Sequence, residues 1–509
     1  MPQSAVSPSE IPRTPPLRAS TGVLGLDEVL GGGFPVHRLY LIKGDPGAGK
    51  TTLAVQFLLE GVRMGETGLY ITLSETQEEL EIVAQSHGWN LEGLELFELS
   101  SMQEVLEEEG NHTFFHTSEV ELNRTTEALL AVINRVNPRR VVFDSLSEMR
   151  LLAETSLRYR RQILQFKQYF SQRRTTVLFL DDRSAAQNDL QVESIAHGVI
   201  SLHCTSPDYG VLRRQMTVDK LRGSAFLEGY HDLLLRTGGM TVFPRLTAAQ
   251  RFTHFERTRF ASGLKELDAL LGGGLDRGTS NILMGPPGTG KSTLTIKFIL
   301  QAALGGIKSL MLIFDETIGT LLNRSAQLGM DLRPHVESGL VTLQQVDPAE
   351  ISPGEFAHRI AQQVNKEGVR MLVIDSLNGY LNAMPVDRYL YLQLHELLAY
   401  LNQQGVISLM ILTQTGVIGT MHSKVDLSYL ADTVVLLRYF EDRGAVKQAI
   451  SVIKKRSGDH ERTIREMSLG PNGVVIGQPL VHMQGVLTGI PIISHMEPPA
   501  DGMANSNPV

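Results

Sequence analysis

Gly44-Asp45-Pro46-Gly47-Ala48-Gly49-Lys50-Thr51 and, 241 residues further on, Gly285-Pro286-Pro287-Gly288-Thr289-Gly290-Lys291-Ser292 decide how this chain is read. Both fit the pattern G-x-x-x-x-G-K-[ST]. In such a loop, glycines let backbone N–H groups close around phosphate oxygens, the lysine reaches the β and γ oxygens, and the hydroxyl ligates Mg2+. Apolar runs precede both loops (Leu39-Tyr40-Leu41-Ile42 and Ile282-Leu283-Met284), and helix-like segments follow (Leu53 to Arg63 and Leu294 to Leu304). Strand, loop and helix in that order are the context the motif requires. Gly44, Gly47, Ala48, Gly49, Lys50, Thr51 and Thr52 therefore make one candidate triphosphate site. Gly285, Gly288, Thr289, Gly290, Lys291, Ser292 and Thr293 make a second.

The repetition extends beyond the loops. Gly22-Val23-Leu24-Gly25-Leu26-Asp27 returns as Gly263-Leu264-Lys265-Glu266-Leu267-Asp268, and Gly31-Gly32-Gly33 as Gly272-Gly273-Gly274. Later the register slips: Asp144-Ser145-Leu146 answers to Asp375-Ser376-Leu377, and Lys220-Leu221-Arg222 to Lys454-Lys455-Arg456. A period this long marks a duplicated domain rather than a solenoid repeat. Short β-rich runs alternate with helical segments in each half: Gly68 to Leu73, Arg140 to Asp144 and Thr175 to Leu180, then Ser309 to Phe314, Arg370 to Asp375 and Val406 to Thr413. That alternation predicts an α/β fold with a mostly parallel sheet covered by helices on both faces. A Gly-Gly pair and Pro244 place the join between Leu235 and Phe260. The expected layout is a disordered N-terminal tail over 1–16, a first domain over 17–246, a second over 247–491, and a flexible tail over 492–509.

Composition fits a well-packed globular chain, with 42% hydrophobic and 20% charged residues. Its one cysteine, Cys204, excludes a disulfide framework and a Cys-rich zinc site. The N-terminal Pro/Ser-rich stretch has no apolar core of a secretory signal, and no apolar run has bilayer-spanning length. A cytoplasmic protein without membrane association is expected. The histidines lack paired metal-site spacing. Trp89 is read as a packing residue, and Glu107-Glu108-Glu109 as a solvated helix end.

Three further sets of residues carry chemistry. Asp144 and Asp375 each end an apolar strand; beside a phosphate-binding loop, such a carboxylate steers Mg2+, joining Thr51 and Ser292 as metal ligands. Glu75, Asp315 and Glu316 end the strand that comes after each loop's helix, where a carboxylate could take a proton from an attacking water or hydroxyl. Successive strand residues point oppositely, so one of each adjacent pair should face the γ-phosphate. Lys220, Leu221 and Arg222, with Lys454 and Arg456, lie late in each half, where a cation can stabilise charge on a phosphoryl group bound by a neighbouring subunit.

With both loops, Ile374-Asp375-Ser376-Leu377, Ala431-Asp432-Thr433-Val434-Val435-Leu436-Leu437 and Ile464-Arg465-Glu466 in place, the chain resembles the KaiC family of tandem RecA-like ATPases over roughly Leu17 to Pro491. The resemblance implies two RecA-like domains, double-ring homohexamers, and ATP with Mg2+ held between neighbouring subunits. It implies a slow ATPase in the first ring. In the second it implies a non-specific serine/threonine protein kinase that phosphorylates its own chain and can remove those phosphates. Members commonly carry two adjacent glutamates after the second strand, the first acting as base; here Ser74 and Asp315 hold that first position, and Glu75 and Glu316 the second. The phosphorylated pair falls on Ser428, which matches, and Tyr429, which departs.

The expectation is thus a hexameric ATPase with serine/threonine autokinase activity at Ser428, acting as a signalling or timing switch through protein partners. Two other classes stand beside it: a nucleotide-dependent scaffold without kinase activity, and a RecA-like nucleic-acid-dependent ATPase. A net charge of −8, and the lack of a basic tract or Cys-x-x-Cys finger, weigh against nucleic acid as a partner.

Overall fold

The computed structural model describes residues 17–99, 117–182, 191–207, 210–246, 253–347, 349–382, 390–414, 428–488 and 492–493. The expectations for 1–16, for Glu107-Glu108-Glu109 and for most of 492–509 lie outside the described residues. The chain divides into two compact units between Arg245 and Leu246.

In the first unit nine strands form one sheet: β1 (Leu39–Gly44), β2 (Gly68–Thr72), β3 (Leu94–Glu98), β4 (Arg140–Asp144), β5 (Thr176–Asp182), β6 (Gly198–Thr205), β7 (Arg213–Leu221), β8 (His231–Arg236) and β9 (Gly239–Phe243). Their order is β3-β2-β4-β5-β1-β6-β7-β8-β9. The strands from β3 to β6 are parallel, and β7 to β9 continue the sheet antiparallel. The second unit repeats the plan with β10 (Ser280–Gly285), β11 (Ser309–Ile313), β12 (Val341–Gln345), β13 (Met371–Asp375), β14 (Ile407–Thr413), β15 (Thr433–Asp442), β16 (Ala445–Lys455), β17 (Arg465–Gly470) and β18 (Gly473–Pro479). Its order, β12-β11-β13-β14-β10-β15-β16-β17-β18, is the same pattern of neighbours. These are two tandem RecA-like P-loop domains.

The central strands read as continuous apolar runs because both faces are covered. In the first unit Tyr40, Ile42, Val142, Leu178 and Leu180 pack on one face with Leu53, Val55, Phe57 and Leu58 of the helix Lys50–Arg63. Leu39, Leu41, Val141, Phe143, Val177 and Phe179 turn to the other face, against Tyr159, Ile163, Phe166 and Phe170 of the helix Ser156–Arg173. The second unit has the same two layers, with Leu283, Met311 and Val373 on one side of the sheet and Ile282, Leu312 and Ile374 on the other. Burying each such side chain contributes about 1.5–3 kcal/mol, so a polar residue within these strands is worth a reason.

The Gly-Gly signal taken for the join has a different role. Gly238 and Gly239, both at positive φ, turn the β8–β9 hairpin inside the first unit, where Arg236 pairs with Gly239. Trp89 packs against that unit's core and stacks on His87, ring centroids 4.6 Å apart.

Candidate nucleotide sites

Each loop lies between the end of a parallel strand and the start of a helix. Gly44 closes β1 and Lys50 opens the helix Lys50–Arg63; Gly285 closes β10 and Lys291 opens the helix Lys291–Leu304. The residue before each lysine must be glycine. Gly49 (φ 102°) and Gly290 (φ 91°) are left-handed, and a Cβ there would come within 3.0 Å of Leu235 and Met240, or of Leu469 and Met467. The free N–H groups and dipole of the helix then point into the loop, which favours an anion.

The lysines are drawn inward. Lys50 Nζ donates to the carbonyls of Gly44 (3.1 Å) and Asp45 (3.3 Å), and Lys291 Nζ to those of Gly285 (3.0 Å) and Pro286 (2.6 Å). Lys291 is buried, and that burial pushes its ammonium down to about 8, with Asp375 opposing.

Asp144 and Asp375 end β4 and β13, at sheet positions opposite Thr72 and Ile313. Both are buried, and the peptide after each is cis. Asp144 Oδ2 accepts from the Thr51 hydroxyl (3.1 Å) and the Tyr70 hydroxyl (2.5 Å). Burial pushes its carboxyl up, with Tyr70, Thr51 and Lys50 opposing. Burial pushes Asp375 up to about 6, against the Ser292 hydroxyl, and its Oδ2 is buried without a hydrogen-bond partner. A hydroxyl beside a carboxylate, with an orphaned buried oxygen in the second copy, is the donor chemistry of a hard cation. Mg2+ takes one or two protein ligands together with phosphates and water. Accordingly, no group of three or more His, Cys, Asp or Glu among the described residues forms a self-sufficient metal site.

The acids after the second strand differ between the copies. Ser74 is exposed, while Glu75 is half-buried with its Oε2 enclosed and unpartnered. Burial and then the nearby Asp144 push the Glu75 carboxyl up. In the second unit, exposed Asp315 accepts from the Ser376 hydroxyl (2.5 Å), and half-buried Glu316 pairs with Arg324 (2.6 Å). Thr76 and Thr317 cap the helices that follow, which holds both acid pairs at a strand-to-helix junction.

A family profile described as the KaiC ATPase matches residues 19–247 and again 260–481. The chain belongs to the KaiC ATPase family. It is 25% identical to the circadian clock oscillator protein KaiC of Parathermosynechococcus lividus, over 93% of this chain and 88% of that protein. It is 25% identical to the KaiC of Synechococcus elongatus over 92% and 91% of the two chains. With the circadian clock oscillator protein KaiC 1 of a Synechocystis strain the identity is also 25%, over 95% and 93%. The family is one of ATPases, which implies ATP and, with it, Mg2+.

In this KaiC-family chain the basic motifs lie away from their own loops. Leu221 is buried opposite Gly198, which pairs in turn with Tyr40 near the start of β1. The Arg222 N–H binds the carbonyl of His197, whose own N–H binds that of Leu39. Arg222 is thus five residues of strand below Gly44, about 16 Å. Lys220 Nζ is held on the Glu193 carbonyl (2.6 Å), and Arg222 on that of Ser194 (2.9 Å). The second domain matches. Lys454 Nζ donates to the Ser428 carbonyl (2.7 Å) and Arg456 to that of Tyr429 (2.9 Å), with Arg456 also 3.6 Å from Asp432. Lys455, between them, is buried and holds the carbonyls of Leu271 and Gly274 instead.

Sequence reasoning missed two polar residues in the first site. Tyr70 lies within an apolar strand and carries no periodic signal. Asp182 did carry one: Asp181-Asp182 follows an apolar strand beside the loop, the same cue that selected Asp144.

Proposed function

We propose that both domains bind ATP with Mg2+ at boundaries between copies of this chain in a ring, taken as a homohexamer. The first domain hydrolyses ATP, the second phosphorylates Ser428, and the assembly works as a signalling or timing switch. The observation that carries this reading is the position of Lys454, Arg456 and Ser428. They cluster at the end of the second sheet opposite its own loop, since the Arg456 N–H binds the Asp432 carbonyl and Asp432 in turn binds Ser280, at the start of β10. That end lies a strand's length from Lys291, which supports a nucleotide held by another copy as the one these side chains act on.

Thr51 with Asp144, and Ser292 with Asp375, are the residues suited to Mg2+, which when bound neutralises charge on phosphate oxygens. Lys50 and Lys291, with the N-terminal N–H groups of their helices, bind and orient the triphosphate. In the second domain the Ser428 Oγ of one copy forms the new bond to the γ-phosphorus bound by its neighbour. The bond from that phosphorus to the β–γ bridging oxygen breaks, ADP leaves, and the hydroxyl proton passes to Asp315 or Glu316. In the first domain Glu75 takes the proton of the attacking water.

The test mixes two variants in Mg-ATP and maps covalent phosphate by peptide mass spectrometry. Lys291→Ala keeps Ser428 but lacks the loop lysine, and Ser428→Ala has the reverse defect. Phosphate on Ser428 of the Lys291→Ala chain, only in the mixture, is the expected result. No phosphate while ATP is consumed would leave the nucleotide-dependent scaffold.

A further inference from the structure

The loop lysine of the first domain is already paired. Lys50 Nζ lies 2.8 Å from Asp182 Oδ1, and the Lys50 side chain is only 10% exposed. Asp182 is the last residue of β5 and stands opposite Gly44, the first glycine of the loop. Its neighbour Asp181 turns the other way. It is buried, 2.6 Å from Arg150 and 3.3 Å from the Ser147 hydroxyl, which ties the end of β5 to the helix Leu146–Ala153 that follows Asp144. Asp182 is therefore presented to Lys50 by a fixed strand end.

Among the described residues the second domain lacks this arrangement. Thr413 stands opposite Gly285, with Leu412 before it. Among the described residues Lys291 has carbonyl oxygens as its hydrogen-bond partners, and no carboxylate lies within ion-pair distance. Two sites built on one plan thus differ in whether an acid occupies the cation that triphosphate needs.

We infer that Asp182 is a positioning residue of the first site, which holds Lys50 and competes with ATP for it. The inference rests on the reading of Lys50 as a phosphate-binding residue. An ammonium reaching the β and γ oxygens must leave the carboxylate or share itself with it, and the carboxylate then stands beside a polyanion that repels it. The penalty falls most on the terminal phosphate, so ATP suffers more than ADP. Thr413 imposes no such penalty on the second site.

The test is binding of fluorescent ATP and ADP, with Mg2+, to the full chain carrying Lys291→Ala, which silences the second site. Asp182→Asn should tighten ATP about fivefold, the scale of a partly exposed ion pair. ADP should tighten less, and Asp182→Glu should keep the affinity of the unsubstituted residue. In the converse background, Lys50→Ala, introducing an acid by Thr413→Asp should weaken ATP at the second site by a similar factor. Unchanged or weaker ATP binding in Asp182→Asn overturns the competition while leaving Lys50 as a phosphate ligand. Absence of ATP binding in the Lys291→Ala protein itself overturns both.

Discussion

The Tyr70 hydroxyl donates to Asp144 Oδ2 at 2.5 Å, and that oxygen also accepts from Thr51 at 3.1 Å. Tyr70 is almost fully buried, and desolvation and the Asp144 charge push its phenol well above the ordinary value, so it remains a donor. The second domain has Met311 in the equivalent place, opposite Val373 as Tyr70 is opposite Val142. Tyr70→Phe should therefore leave the fold intact but lower stability by about 1.5–3 kcal/mol, the range for a hydrogen bond to a charged group. Denaturant unfolding without nucleotide checks this. An unchanged midpoint would mean that the phenol contributes nothing to holding Asp144.

Arg140, at the start of β4, is a second polar residue confined to one copy. It is 1% exposed, donates to the carbonyls of Ser20 (2.7 Å) and Phe57 (2.8 Å), pairs with Glu66 (2.5 Å) and lies over the Phe57 ring. The matching strand of the second domain begins with Met371. Arg140→Ala should cost about 3 kcal/mol or more, because it leaves a cavity and strands buried carbonyls. Arg140→Met should cost less, since it keeps the volume. Calorimetric melting of the two variants orders them, and equal losses would show that volume is irrelevant there.

These two residues also show where the sequence stops being readable. Both loops, the Asp144 and Asp375 strand ends and the doubled sheet were legible, because glycines at positive φ and apolar runs leave local signatures. The antiparallel extension β7 to β9 was not, since its strands are placed by pairing with one another, with β6 and, at Thr241, with Leu24, and its first strand mixes buried with partly exposed residues. Tyr70 and Arg140 were not, because a polar group inside a buried strand is explained only by partners distant in sequence. The Glu316–Arg324 pair spans a strand end and a helix, and in the first domain the position matching Arg324 is Val83, so the two acids differ through a partner that the local acid pattern does not show.

His197 gives a pH-dependent term in the first domain. Its Nδ1 accepts from the Leu39 N–H (3.3 Å), and burial, then Lys167, Arg38 and Arg222, push its imidazole down to about 4. Between that value and the ordinary value near 6.5 the unfolded chain binds more protons. The contribution is therefore present above about pH 6.5 and lost as pH falls toward 4. Solvent screening at this half-exposed ring reduces it to about 1–2 kcal/mol. His197→Gln should flatten the stability profile across that window relative to the unsubstituted protein, measured by denaturant midpoints at each pH. Parallel profiles would show that the ring titrates alike in both states.

The last contrast concerns the proton acceptors. Glu75 has a buried, unpartnered Oε2, whereas Glu316 is neutralised by Arg324 and Asp315, among the described residues, is bonded to the neutral Ser376 hydroxyl. A carboxylate tied to a guanidinium is the weaker base, and one bonded to a hydroxyl keeps its charge available. The two domains should then use different positions of the acid pair. In the Lys291→Ala background, Glu75→Gln should lower ATP turnover about 100-fold while nucleotide affinity holds, because Ser74 offers no carboxylate. In the otherwise unsubstituted chain, Asp315→Asn should slow phosphate incorporation at Ser428 by a similar factor, and Glu316→Gln by much less. Steady-state hydrolysis and a phosphopeptide time course read the two arms separately. A larger defect from Glu316→Gln than from Asp315→Asn would move the base to the buried position in both domains and make Arg324 its regulator.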